Sequence, residues 1–237
     1  MSNPVLLNNV DHKHLRIRTG HGEGLGDQHM FAPTFPAEFR ELQAHYPIVF
    51  RKTDDGARFE PVAMLGLVEG ENLFLSEAGW DSPTVPLSVA RQPFLIGVAG
   101  DELMVHVDMD SPRCSNIDGE PVFLPHGGTT EYLENVNSSL LMLHQGLQAT
   151  ALFMSALVSL ELLESFVLDV ELDDGTQGRL AGFYAIHEER LAQLEASVLG
   201  ELHRAGYLQA IFMAVASLSN FRALIERKNR LHAARAT

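Results

Sequence analysis

The stretch SFVLDVELDDGTQGRLAGFYAI, residues 165–186, decides the fold class. Two runs of alternating apolar residues flank DDGTQG. Turn residues between alternating runs specify a β-hairpin. Helical patterns lie on both sides of it. Ahead of it, Leu133, Val136, Leu140, Leu143, Leu147, Ala151, Met154 and Leu157 recur at threes and fours. That spacing predicts one long helix or two over residues 131–164, with Gly146 as the candidate break. After it, HEERLAQL begins a short helix, SVLGELHRAG is another with Gly206 as its C-cap, and residues 207–229 form the last. The hairpin therefore reads as strands returning to a sheet from within a helical half.

The first half supplies strands. FPAEFRELQAHY is a short helix that Pro47 ends. PIVF (47–50), PVAMLGLV (61–68) and LFL (73–75) alternate with the turns KTDDGA and EGEN, which makes a β-meander. VPLSVARQ is then a helical turn, PFLIGV (93–98) a buried strand, AGDE a turn and LMVHVDM (103–109) a strand. HYPIVF and RQPFLIGV share a proline that opens an apolar strand after a short helix, a faint internal repeat. The fold class is α+β. An antiparallel meander fills the N-terminal half, and a long helix and helical C-terminal half follow with a returning hairpin. Residues 1–30, glycine-rich with four histidines, read as a poorly structured segment, and 31–237 as a single domain. The long helix is apolar on more than one face, so a central, buried position is expected for it.

Composition excludes several classes. A net charge of −14, from 17 basic and 31 acidic residues, repels nucleic acid and anionic lipid. The basic residues from Arg222 onward suit a helix C-terminus. A single cysteine, Cys114, rules out an intramolecular disulfide. MSNPVLLNNVDHKHLRIR lacks a basic region before an apolar run, so no secretory signal is expected. No stretch holds about 18 uninterrupted apolar residues, so no membrane span is expected and the cytoplasm is the expected location.

The chemistry worth weighing lies in HVDMDSPRC, residues 106–114. On one strand His106, Asp108 and Asp110 share a face. A His-x-Asp pair with a distant histidine is the pattern of a non-haem iron triad. The third ligand has no definite source, so the expected assignment is no metal and no cofactor. Asp108 and Asp110 are expected to accept backbone N–H groups at the strand end, with Ser111-Pro112 turning the chain. Asp108, Asp110 and Ser111 are also the candidate ligand-binding residues. GEGLG (22–26) lacks the strand and helix of a dinucleotide loop and reads as a flexible loop. Trp80 reads as core packing, and Asn72 as a residue that tolerates the left-handed region. Catalytic residues stay unassigned.

YPIVF, PVAMLGLVEGENLFL, Trp80, RQPFLIGV, DMDSPR, GEPVF and GGTTEYL resemble the SapC-like family of bacterial proteins. So do GFYAIHEERLAQL, ELHRAGYLQAIF and SLSNFRAL, and the likeness runs from about His12 to Leu224. The resemblance implies a link to surface-layer secretion. Relatives are encoded near TonB-dependent receptors and near halogenase-like and cupin-like proteins. It carries no established catalytic residues, and the unrelated peptide-transport permease of the same name is a different protein. The leading expectation is a non-catalytic binding or accessory protein with a protein partner or a second copy of itself. The alternative is a metal-dependent or halogenase- or cupin-associated enzyme acting on a peptide or aromatic substrate.

Overall fold

The computed structural model describes residues 3–100 and 102–235. The AGDE turn includes Asp101, which lies outside the described residues. In chain order come β1 (Pro4–Leu6), β2 (Arg16–Ile17), β3 (Phe31–Pro33), α1 (Phe39–Leu42), β4 (Ile48–Lys52) and β5 (Phe59–Met64). β6 (Leu75–Ser76), β7 (Gly79–Trp80), α2 (Leu87–Ala90), β8 (Phe94–Ala99), β9 (Glu102–Asp108), β10 (Cys114–Ser115) and β11 (Glu120–Pro121) follow. The second half holds α3 (Glu131–Ser159), β12 (Leu163–Glu171), β13 (Gln177–Ile186), α4 (Glu188–Ala192), α5 (Ala196–Arg204), α6 (Tyr207–Ser217) and α7 (Asn220–Arg235). The architecture is α+β.

The chain forms two compact units. The first comprises Met1–Gln28, Leu75–Asp81 and Leu87–Gln145, and the second His29–Phe74, Ser82–Pro86 and Gly146–Thr237. Residues 3–30, expected as a poorly structured segment, contain short strands and buried residues among the described residues. β1 pairs with β9, and Leu15 and Ile17 are buried.

In the second unit the opening hairpin returns to the meander, as its pattern predicts. The sheet order is β12-β13-β4-β5-β3, antiparallel throughout. Tyr184 faces Phe50 across β13 and β4. Gly56, at φ 70°, takes the turn between β4 and β5. α6 packs on β4 and β13. Two polar groups make that packing possible. Ser217 Oγ accepts from Ile48 N (2.8 Å), and Asn220 Nδ2 donates to the carbonyls of Gln43 (2.8 Å) and Tyr46 (3.3 Å). The Ser-Leu-x-Asn motif thus satisfies backbone that the core would otherwise strand.

Several local expectations change. α3 runs unbroken through Gly146, because that glycine gives room to the Phe35 ring rather than ending the helix. α3 is not buried all round either. Leu141, Met142, Leu147, Leu152 and Val158 are exposed. By length and composition, Glu131–Ser159 and Tyr207–Ala234 are each long and apolar enough to cross a membrane, although neither holds an uninterrupted apolar run of that length. The LFL strand shrinks to Leu75–Ser76. In GENLFL the left-handed residue is Gly70, and Asn72 instead accepts from Phe74 N (3.0 Å). In the basic C-terminal helix, Lys228 pairs with Glu71 and Arg227 lies over the Phe74 ring at 4.4 Å.

The first unit carries the sheet β1-β9-β8 and the small sheet β10-β2-β11. Its core gathers Leu15, Ile17, Phe94, Val107 and Val122 with Leu133, Val136 and Leu140 of α3. The faint repeat has a structural counterpart. Each unit contains a four-residue helix followed by an antiparallel strand pair, α1-β4-β5 in one and α2-β8-β9 in the other.

Candidate functional site

β9 ends at Asp108, and the chain turns at once. Asp108 Oδ1 accepts from Asn3 N (2.8 Å) and from Asp110 N (3.2 Å), which halts the ladder and starts the corner. Ser111 N donates to the Asp108 carbonyl (3.1 Å), and Ser111 Oγ accepts from Arg113 N (3.3 Å). Asp110 lies past the strand, so it does not continue the face of His106 and Asp108. Its carboxylate is exposed and accepts no hydrogen bond among the described residues. The expected backbone-capping role therefore falls to Asp108, and not to Asp110.

His106 takes no part in the corner. Its ring lies over Gly97, where an added Cβ would sit 2.3 Å from Cε1. Its Nδ1 is buried without a hydrogen-bond partner among the described residues. Among those residues no three His, Cys, Asp or Glu side chains gather closely enough to hold a metal ion.

The residue that sequence reasoning passed over is Arg113. It closes the D-M-D-S-P-R motif and is 2% exposed. Its Nη2 donates to Asp27 Oδ1 (2.6 Å), and its Nη1 donates to the carbonyls of Arg18 (3.1 Å) and Gly20 (2.7 Å). Asp27 is itself buried. Its other oxygen accepts from Gly22 N (2.9 Å) and lies 3.3 Å from His21 Nδ1. Trp80, expected in the core, stands edge-on to His21 at 5.3 Å. Burial alone would raise the Asp27 carboxyl. The hydrogen bonds from His21 and Gly22 and the charge of Arg113 outweigh it and hold the group below the usual carboxylate range. GHGEGLGD is thus a fastened loop and not a flexible one. The one signal in sequence was a carboxylate at its end and an unexplained arginine after Ser-Pro.

The fastened loop and the corner enclose an open cavity of about 360 Å³. Leu25 and Gly26 of the loop line it, with Asp108, Asp110, Ser111 and Pro112 of the corner and, joined to that corner by the Asp108 N–H to Pro93 carbonyl bond (3.1 Å), Arg91 to Pro93 and Leu95. All three predicted site residues line it. Such a volume lies in the range of about 300–1,000 Å³ usual for small-molecule sites. Cys114 sits beneath the corner, its Sγ donating to the Asp108 carbonyl (3.3 Å). Burial, together with the Asp108 charge, pushes its thiol up to about 11, far from a reactive nucleophile.

Fold and corner together describe an α+β protein whose strand-end motif both lines a cavity and anchors the loop that walls it. The chain belongs to the SapC family, whose profile matches residues 7–224. No curated protein and no solved structure matches it.

Proposed function

We propose that this chain is a non-catalytic binding and accessory protein of a bacterial cell-envelope pathway, surface-layer secretion or TonB-linked uptake. It works from the cytoplasm with a protein partner or a second copy of itself. Asp108, Asp110 and Ser111 form its ligand contact. The observation that carries this reading is the cavity. A buried ion pair holds its wall in place, while polar groups on its lining remain uncommitted. The exposed apolar residues of α3 support a macromolecular partner as well.

The test is ligand-induced stabilisation of the purified chain against a metabolite library, with Asp110→Asn alongside. A true ligand at a hundred times its Kd adds about 2.7 kcal/mol. For a chain of this size that raises the melting temperature by about 5–10 °C. The expected result is a compound that stabilises the wild type and not the variant. A library in which no stabilisation depends on Asp110 overturns the site. Sedimentation of the chain alone, and with a TonB-dependent receptor, tests the partner, and a monomer in both runs removes that part.

A further inference from the structure

The cavity holds opposite charges that do not meet. Arg91 lines one wall and forms no ion pair among the described residues. Its hydrogen bond runs from Nη1 to the Phe94 carbonyl (2.6 Å), which leaves most of the donor fork unused. Burial pulls its pKa down, so the guanidinium is partly stripped of water. An anion reaching it gains a charge-assisted, geometrically fitted partner. Asp110, also on the lining, carries an exposed carboxylate that accepts no hydrogen bond among the described residues. Ser111 Oγ already accepts from Arg113 N, so its hydroxyl hydrogen remains to be donated. Asp108 is committed to Asn3 and Asp110. Pro93, Leu95 and Leu25 supply apolar surface on the same lining.

A bare anion would meet the Asp110 carboxylate, and a bare cation would meet Arg91. The occupant that suits both groups carries both charges on an apolar body. We propose that the cavity binds a small zwitterion of the amino-acid or short-peptide kind. Its carboxylate lies on Arg91, its ammonium on Asp110, and its apolar side chain against Pro93 and Leu95. This inference rests on the reading of the corner as a binding site and names what that site takes.

Isothermal titration of the full chain tests it. L-leucine and leucyl-leucine are the probes, and N-acetyl-L-leucine and L-leucinamide, each lacking one charge, are the controls. The expected result is saturable binding of at least one probe, with both controls at least tenfold weaker. Which probe binds tells a free amino acid from a peptide. Arg91→Gln and Asp110→Asn should each weaken binding tenfold or more. Asp110→Asn should do so with an unchanged unfolding midpoint, because that side chain is exposed. The inference is overturned if neither probe binds the wild type, or if the controls bind as well as the probes. Should a library compound of other chemistry still stabilise the wild type and not Asp110→Asn, the binding-site reading stands and the zwitterion falls. If no compound depends on Asp110, both fall.

Discussion

Asp27 and Arg113 stand 86 residues apart in the chain and 2.6 Å apart in space, with both side chains closed to solvent. The pair is placed to fasten the loop after Arg18 to the corner after β9. Taking two charges out of water costs much of what their attraction returns, so the pair is a device for position more than for stability. Removing one partner is a different matter, since it strands the other charge. Asp27→Ala should therefore lose about 3–5 kcal/mol in urea denaturation. Replacing both, as Asp27→Leu with Arg113→Met, should recover more than half of that loss. A single variant that loses under about 1 kcal/mol would show that the charges are solvated.

Acid stability should report the same carboxylate. Asp27 has a folded pKa below its ordinary value, so the folded state takes up its proton less readily than the unfolded state. Its contribution is fully present above the unfolded value of about 3.9 and fades as pH falls through the lower folded value. Urea midpoints between about pH 5 and pH 2.5 should fall more steeply for the wild type than for Asp27→Asn. Parallel profiles would mean that Asp27 titrates alike in both states.

Gly146 offers a contest between two effects of known size. Alanine in a helix interior gains up to about 1 kcal/mol over glycine. Here an added Cβ would sit 2.2 Å from the Phe35 ring, and that ring is 1% exposed. Overpacking of this kind costs about 1–3 kcal/mol. Gly146→Ala should therefore destabilise on balance, and Gly146→Ala with Phe35→Leu should recover stability. A more stable single variant would show that the ring moves aside freely.

These cases also mark what the sequence could carry. The 165–186 hairpin was legible because alternation and turn chemistry are local, and its return to the sheet is what a half-buried strand pair requires. Asp108, Asp110 and Ser111 were legible as a strand-end corner for the same reason. Gly146 misled because a helix break and a close ring approach leave the same glycine in the sequence. Arg113 was illegible because its partners, Asp27, Gly20 and Arg18, lie in a stretch whose composition resembles loose chain. No periodicity links a loop carboxylate to an arginine so far along the chain. Arg91 escaped notice because its significance is a pairing it does not make, and only the packed cavity shows that.

The Ser-Leu-x-Asn motif is structural, and that has a measurable consequence. Ser217 is fully buried and is the acceptor for Ile48 N at the start of β4. Ser217→Ala leaves that N–H unpaired in the core and should cost about 1–3 kcal/mol. Hydrogen exchange at Ile48 should accelerate with it, while exchange within β8 and β9 stays as before. A neutral substitution would require another acceptor for Ile48 N.

Cys114 is the last test, and it reads the corner directly. With its thiol held at about 11 by burial and by the Asp108 charge, only roughly one thiol in ten thousand is ionised at about pH 7. Reaction with a disulfide reagent should be slow in the native protein and fast in denaturant. Native reactivity should climb with pH and show no plateau below about pH 10. Asp108→Asn removes the repelling charge and should speed the native reaction, yet leave it well short of the denatured rate, because burial is the larger cause. A thiol that reacts at the denatured rate near neutral pH would contradict the buried corner, and with it the anchored wall on which the binding site depends.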